Sequence, residues 1–578
     1  MASIFETSAD MLQLKGESVH RYMAYRRAAE TIRELPRDLS AIANDEGLKS
    51  LPGIGKVLAE KIQEMLDTGQ LEFYEKLKEE VPMGVVQMMG INGVGPKKAA
   101  TFWKELDITS VDELRDAAKA QKLRELSGMG AKSEQKILDG IEALERQQTG
   151  RTPLAKAQPL AETILERLLA MPEVIRGELA GSIRRARPTI GDVDILVASD
   201  TPTPIMEAFV SMPEVGRILG QGESKSSIEL AKGGLQVDLR VLPEERFGTA
   251  LQYFTGSQHH NIQVREIALK AGYSLNEHAL TPVDDNGDLK HDEAIHCATE
   301  AEVYEKIGLP WIAPELRENR GEIEAAKNGG LPTLIALDDM RGDLHMHTTY
   351  SDGKLSIREM AEAAKARGRE YIVITDHSYT SRIANGLDID RLMQQREEVQ
   401  RVNEDMGDDF HVFHGTEMDI QADGTLDFPD NVLAQLDFVV ASLHMSLQQD
   451  RETITQRALN AINNPHVDLI GHPRGQLIGR REPADLDMDR IFEAAAKSGV
   501  ALEINANPMR LDLEAQYARR AIEMGILLCI DTDAHKAEQM DLLNYGIRTA
   551  RRGWVQPQQV INTWPVEKFR EWVQARGK

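Results

Sequence analysis

Residues able to bind metal gather in the C-terminal part of the chain. Asp343-Leu344-His345-Met346-His347-Thr348 sets two imidazoles two positions apart, and Ser351-Asp352-Gly353 follows. Later come His377 in Thr375-Asp376-His377, Glu417 in Gly415-Thr416-Glu417, His444 in Ser442-Leu443-His444, His472 in Gly471-His472-Pro473, and Asp533 with His535 in Asp531-Thr532-Asp533-Ala534-His535. A lone histidine is more often structural than a ligand. Nine such residues, nearly all at the ends of predicted strands, point instead to a metal centre. Imidazoles and carboxylates without thiolates suit Mn²⁺, Zn²⁺ or Fe²⁺, and the ligands alone do not choose among them. Cations clustered there would lower the pKa of a bridging water, which is the chemistry of hydrolysis.

A second constellation lies upstream. Gly181-Ser182-Ile183-Arg184-Arg185 is followed by Gly191-Asp192-Val193-Asp194-Ile195-Leu196-Val197. Residues two apart on a strand share a face, so Asp192 and Asp194 would present both carboxylates to one point. Asp238, in Val237-Asp238-Leu239, could supply a third from a neighbouring strand. Such a trio could hold two Mg²⁺ or Mn²⁺ ions, which would activate a primer 3'-hydroxyl and steady a departing pyrophosphate. Gly181 and Ser182 would let backbone amides and a hydroxyl approach a triphosphate, with Arg185 adding charge.

A third pattern is a repeat. Leu51-Pro52-Gly53-Ile54-Gly55, Ile91-Asn92-Gly93-Val94-Gly95 and Leu126-Ser127-Gly128-Met129-Gly130 each precede a lysine-containing helical segment. Glycines at such a helix start expose amides that suit a DNA phosphate, whatever the base sequence. Gly-x-Gly is also an ordinary turn; three in helical contexts carry more weight.

The elements that must position these residues follow from periodicity. Residues 1 to about 150 read as helices, with breaks at Leu35-Pro36 and Thr68-Gly69. From 178 to about 242 the pattern turns to strand, notably over 193–197 and 236–242. A polar, Glu-rich stretch over 314–332 then reads as a linker. Beyond Arg341, apolar runs at 371–375, 411–415, 438–441, 467–471, 500–504 and 526–530 alternate with helical segments, which predicts a parallel sheet or a β/α barrel. Barrel enzymes place their chemistry at the C-terminal ends of strands, where the metal-type residues fall.

These motifs carry family resemblances. Gly-Ser-x-Arg-Arg followed by Gly-Asp-x-Asp resembles the nucleotidyltransferase superfamily. Tyr253-Phe254-Thr255-Gly256-Ser257, with Asn261 and Arg265 behind it, resembles the nucleotide-binding turn of the X-family DNA polymerases. The resemblance implies that Tyr253 and Phe254 sit beside the sugar of the incoming nucleotide, that Gly256 belongs to the same turn, and that Asn261 and Arg265 touch the minor groove. Polymerase beta has an Asp after this motif where this chain has Gln258. The Gly-x-Gly elements resemble helix-hairpin-helix motifs, implying DNA contacts at Gly53, Gly55, Gly93, Gly95, Gly128 and Gly130. Residues 20–29 and 51–62 resemble the small lyase domain of polymerase beta, which places Lys61 as the Schiff-base amine with Tyr25 and His20 as neighbours. From Arg341 to about His535 the layout resembles the PHP family, a distorted β/α barrel with a trinuclear centre. It implies one metal on His345, His347, Glu417 and Asp533, a second bridged by Glu417 and bound by His444 and His472, and a third on Asp352, His377 and His535. Arg474 and Asn505 are candidates for contacting the phosphate.

The expected fold is multidomain α and α/β: a helical helix-hairpin-helix N-terminal region, a nucleotidyltransferase palm with thumb, and a C-terminal distorted (β/α)7 PHP barrel. Its divisions are a lyase-like domain over 1–80, a fingers-like region over 81–150, the palm over 151–242, the thumb over 243–315, a linker over 316–340 and the barrel over 341–578. The order resembles bacterial family X DNA polymerases. It implies gap filling in DNA repair, a 3'-5' exonuclease and abasic-site endonuclease in the barrel, and gapped or nicked DNA with dNTPs as partners. Two other readings stand beside it: a small-molecule phosphatase with a vestigial N-terminal half, and a DNA-end scaffold.

Composition narrows the classes. With 578 residues, 41% hydrophobic and 28% charged, the chain reads as a globular multidomain protein that does not associate with membranes. Met1-Ala2-Ser3-Ile4-Phe5-Glu6 lacks the layout of a secretory signal, and the two cysteines, Cys297 and Cys529, suit a reducing cytoplasm. A monomer is the default expectation. The net charge of -25, from 68 basic against 93 acidic residues, runs against nucleic-acid binding. It does not exclude a local groove, and carboxylates that hold cations belong in such a sum.

Overall fold

The computed structural model describes residues 1–576 apart from 36–38, 46, 92, 107, 127–128, 147–150 and 285. It divides into two compact units, 1–150 with 231–234, and 151–230 with 235–578.

The first unit is helical. Ala2–Lys15, Val19–Arg33, Lys56–Thr68, Pro96–Leu106 and Ala131–Arg146 pack Phe5, Leu12, Tyr25, Ile62, Phe102 and Ile137 into one core. The three Gly-x-Gly elements close with one backbone pattern: Ile54 donates to the Leu51 carbonyl at 3.1 Å, Val94 to Ile91 at 2.9 Å and Met129 to Leu126 at 3.0 Å. Ile54 and Val94 are buried, whereas Gly53, Gly55, Gly93, Gly95 and Gly130 are exposed. The apolar middle residue thus plugs the core and turns the flanking amides outward. Gly53 and Gly93 have φ of 76° and 88°, conformations that favour glycine. Gly128 lies outside the described residues.

Besides two two-stranded ribbons, the second unit holds two larger sheets. The smaller comprises β1 (Arg176–Leu179), β2 (Asp192–Ala198), β3 (Val215–Gln221), β4 (Lys225–Leu230) and β5 (Gln236–Leu242), in the order β1-β2-β5-β4-β3. β2 and β5 pair in parallel, in a register that sets Asp194 opposite Asp238. The other pairings are antiparallel.

The larger sheet is a barrel of β6 (Gly342–Asp343), β7 (Tyr371–Ile374), β8 (His411–Asp419), β9 (Phe438–Ser442), β10 (Leu469–Gly471), β11 (Ala501–Asn505) and β12 (Leu528–Asp531). All seven are parallel and neighbour one another in chain order. A bridge between Met346 and Ala534 nearly closes the ring, with His347 N–H donating to the Ala534 carbonyl at 2.8 Å. Strands covered on both faces read as continuous apolar runs, which is why they were legible. Phe569, on the helix Val566–Ala575, packs against Tyr371, Phe413 and Phe438 with ring centroids 5.0, 5.0 and 5.7 Å away. One end of the barrel is therefore sealed by apolar rings, and the polar residues collect at the other.

The stretch expected as a linker over 316–340 is not a solvated tether. Arg317 is fully buried against Glu300 at 2.5 Å, and Glu322, also fully buried, lies 2.8 Å from His260 Nδ1. Glu318 meets Arg185, Arg187 and Arg552 at 3.1, 3.3 and 2.8 Å. Composition misleads here because polar residues that look solvent-facing are paired inside.

The helix Leu543–Arg552 lies so close to the barrel that a Cβ on Gly546 would fall 2.6 Å from Ile530 Cγ2 and 2.7 Å from Ala506 Cβ. Alanine there gains about 1 kcal/mol of helix propensity, but overpacking costs about 1–3 kcal/mol. Gly546→Ala should therefore lower rather than raise the urea midpoint at unchanged slope; a raised midpoint would refute this packing.

Candidate active sites

At the C-terminal ends of the barrel strands, Glu417 of β8 is the hub. Its carboxylate lies 3.4 Å from His345 Nε2, 3.6 Å from His347 Nε2, 2.9 Å from His377 Nδ1, 3.1 Å from His444 Nε2 and 2.9 Å from His472 Nε2. Asp533 lies 3.2 Å from His347, and Asp352 lies 3.3 Å from His535 and 3.8 Å from His377. All nine residues singled out in the sequence are thus brought together. Three sets among them have donor atoms within 4.8 Å of one another: His347, Asp352, His377 and His535; His345, His347 and Asp533; His377, Glu417 and His444. The grouping differs from the expected trinuclear assignment in placing His347 with the third set and His377 with Glu417.

Outer carboxylates orient the rings. Glu503, two residues before the end of β11, is 2.7 Å from His345 Nδ1, and Asp419 at the end of β8 is 2.5 Å from His444 Nδ1. A carboxylate behind an imidazole fixes the ring and raises its basicity as a ligand. Both nitrogens of His347 and Nδ1 of His472 are buried without a hydrogen-bond partner, and each neutral ring has one lone-pair nitrogen with which to hold a cation. Burial, with neighbouring His377, lowers the His347 pKa to about 4, which leaves it neutral and ligand-ready. Burial opposes charge on His444 too, but Glu417 and Asp419 overcome it and raise its pKa to about 10; His535 is raised to about 9 against burial by Asp352 and Asp533. Without metal, protonated imidazoles supply the positive charge that Glu417 and Asp533 require. The donor set fits divalent cations.

On β2 and β5 the acidic trio converges. Burial, then Asp192 and Asp238, raises the Asp194 pKa to about 7, and burial with Asp238 raises that of Asp192. Carboxylates that repel one another in this way fit a divalent cation. Gly181 adjoins them with φ of 63°, and a Cβ there would fall 2.6 Å from Asp194 Oδ2. Glycine is therefore required by both conformation and space.

The turn expected to meet the nucleotide caps the helix Phe247–Thr255. Tyr253 and Phe254 meet edge to face with centroids 5.1 Å apart, and the Arg240 guanidinium lies 4.1 Å from the Phe254 ring centroid. Arg185 donates to the Thr255 carbonyl at 2.5 Å, and a Cβ on Gly256 would fall 3.1 Å from Arg185 Nη1. Ser182 lies on the turn Gly181–Arg184. The Asn261 amide is engaged internally, donating to the Tyr253 carbonyl at 2.7 Å and accepting from Gln252 at 3.0 Å. Arg265 Nε donates to the Asn261 carbonyl at 3.3 Å.

In the helical unit, Lys61 Nζ lies 3.8 Å from the centroid of Phe73, whose ring stacks on buried Tyr25 at 5.5 Å. Partial burial lowers the Lys61 pKa. His20 is exposed.

Residues 1–71 match the helix-hairpin-helix domain, 86–143 the SAM-like helix-hairpin-helix tandem, 250–318 the DNA polymerase beta thumb and 343–507 the PHP domain. A DNA polymerase/3'-5' exonuclease PolX of Bacillus subtilis is 40% identical over 560 residues, covering 97% of this chain and 96% of that protein. The chain belongs to the bacterial family X DNA polymerases. DNA polymerase lambda of Rattus norvegicus is 26% identical over 52% of each chain, and a probable phosphatase of Caldanaerobacter subterraneus is 30% identical over 41% of this chain and 92% of that protein.

Two phosphate contacts expected in this family X chain fall elsewhere. Arg474 pairs with Glu514 at 2.5 Å and lies over the Tyr517 ring, and Asn505 is fully buried, donating to Asp533 at 3.2 Å. Neither lines the cavity of ≈ 460 Å³ above the metal-type residues. Arg510 does: its Nε is 3.7 Å from Asp533, and its buried Nη1 has no partner. The loop after His377 forms the rim. Thr380 and Ser381 bond Asp419 at 2.8 and 2.7 Å, while Ile383 at the tip is fully exposed. Glu503 and Asp419 could have been found by the same strand-end rule that found the ligands. Arg510 could not, because its chain neighbours show no motif.

Loading metal at pH 7 must displace the protons on His444 and His535. Calorimetric titration with Mn²⁺ in buffers of different ionisation enthalpy should show proton release, with affinity falling as pH drops below about 9. A buffer-independent heat would show that the cations bind elsewhere.

Proposed function

We propose that the chain fills short gaps in DNA by template-directed synthesis on the β2–β5 sheet, while its barrel hydrolyses DNA from the 3' end and cleaves at abasic sites. The observation that carries this reading is two cation-type sites on one chain, the trio Asp192, Asp194 and Asp238 beside Gly181 and the cluster around Glu417. The Bacillus subtilis relative, named for both activities and aligned almost end to end, supports it.

Gapped or nicked duplex and dNTPs are the substrates. Mg²⁺ or Mn²⁺ would be held by the aspartate trio, and up to three Mn²⁺, Zn²⁺ or Fe²⁺ ions by the barrel's nine residues. When bound, these cations would acidify the attacking hydroxyl or water and neutralise charge on the leaving oxygen. The protein does the rest. Gly181 and Ser182 offer amides and a hydroxyl to the triphosphate, and Tyr253 and Phe254 border the sugar. Asn261 would have to exchange its internal bonds to reach a base pair. In the barrel, Arg510 lines the cavity, where its guanidinium would orient a phosphodiester. Exposed hairpin glycines offer amides to backbone phosphates, a mode that needs little side-chain charge and so tolerates the acidic total. The phosphatase reading is not favoured, because it leaves the repelling aspartates and the confined Gly181 without a task.

The test is one gel. A one-nucleotide-gapped duplex labelled at the primer 5' end, with Mn²⁺ and four dNTPs, should be extended by wild type and His345→Ala but about 10³-fold more slowly by Asp194→Ala. Shortening should be lost in His345→Ala alone. No extension by wild type would refute the polymerase reading.

We assign Lys61 as the lyase nucleophile on its partial burial beside Phe73 and Tyr25. Borohydride should trap wild type, but not Lys61→Ala, on DNA with an incised abasic site, and trapping should accelerate as pH rises toward the lysine pKa. Equal trapping of both would remove the assignment.

A further inference from the structure

The barrel reaches into the polymerase site through one helix. From Leu543–Arg552, Arg548 donates to the Ile183 and Arg184 carbonyls at 2.7 and 3.1 Å, and Arg552 donates to the Arg185 carbonyl at 2.6 Å. These carbonyls lie on the turn that begins at Gly181. The same Arg552 nitrogen meets Glu318 at 2.8 Å, and Glu318 also takes Arg185 Nε at 3.1 Å and Arg187 at 3.3 Å. Glu318 and Arg552 are only 6% and 5% exposed.

A buried carboxylate needs compensating charge, and the partner that leaves it exposes the loss. If Arg185 alone compensated Glu318, moving its guanidinium to a triphosphate would strand that carboxylate in a low-dielectric interior. With Arg552 in place, Glu318 keeps a close partner. Arg552 also grips the Arg185 backbone, so that side chain can turn while its loop stays fixed. Arg187 shares Glu318 but belongs to the same segment as Arg185, so it cannot anchor that segment from outside.

We propose that Arg552, a residue of the barrel, is a positioning residue for DNA synthesis: by compensating Glu318 and holding the Arg185 carbonyl, it frees the Arg185 guanidinium for the dNTP triphosphate. This rests on the reading of Gly181 to Arg185 as the triphosphate loop. The barrel is then a working part of the polymerase as well as a hydrolase.

The full-length chain is assayed for dNTP KM and kcat on a one-nucleotide gap, with 3'-5' shortening of a single strand as the gauge of folding. Arg552→Met should raise the dNTP KM about tenfold, leave kcat within about twofold and leave shortening intact. Glu318→Gln added to it should bring KM back to within about threefold of wild type, because the charge that traps Arg185 is gone. An unchanged KM in Arg552→Met, or no rescue by Glu318→Gln, overturns the proposal. Where Arg552→Met alone does not fold, judged by loss of both activities, the double variant is compared with Glu318→Gln. Equal KM values support the proposal, and a tenfold higher KM in the double variant overturns it. Arg185→Ala separates the two failures. If it leaves KM unchanged, the triphosphate reading falls and takes the proposal with it; if it raises KM while Arg552→Met does not, the proposal alone fails.

Discussion

The organisation of the barrel depends on keeping one carboxylate charged where water does not reach. Glu417 is 1% exposed, and burial alone would protonate it. Five imidazoles from four segments surround it and hold its pKa well below the usual range, with His444, His345 and His377 foremost. No local stretch of chain could supply five imidazoles to one point. A parallel barrel can, because each strand delivers its C-terminal end to the same rim and the far end is filled by Phe569 and its aromatic neighbours. The fold and the charge thus explain each other.

The same constraint recurs with different partners. Asp192 and Asp194 of β2 face carboxylates rather than imidazoles, so the pKa values of these two rise, and cations would be the natural compensation. At Glu318 the compensation is three guanidiniums, and the pKa falls well below the usual range despite burial. Three acidic sites thus have three solutions: imidazole at Glu417, arginine at Glu318 and, on the function proposed above, a divalent cation at the aspartate trio.

Acidic surplus and DNA chemistry are therefore compatible. Some of the 93 acidic residues are internal ligands and struts rather than surface charge. On the function proposed above, the helical unit would address phosphate through backbone amides of exposed glycines, set by buried Ile54 and Val94.

The sequence by itself determined the chemistry-bearing residues and the class of fold. Apolar runs ending in His, Asp or Glu predicted the barrel, because buried parallel strands leave a continuous signature and their ends are where polar groups can face a cavity. The alternation in Asp192-Val193-Asp194 predicted a shared face, because the pleat has a period of two. Tertiary structure alone decided which long-range partners each charge meets. Polar composition made 316–340 look like a tether, yet Arg317, Glu318 and Glu322 are buried by residues far away in the chain. Arg474 was a candidate for contacting the phosphate, but Glu514 and Tyr517 hold it, while Arg510 lines the cavity. A residue's type and local period are written along the chain; the direction of a long cationic side chain depends on carboxylates that only folding brings near.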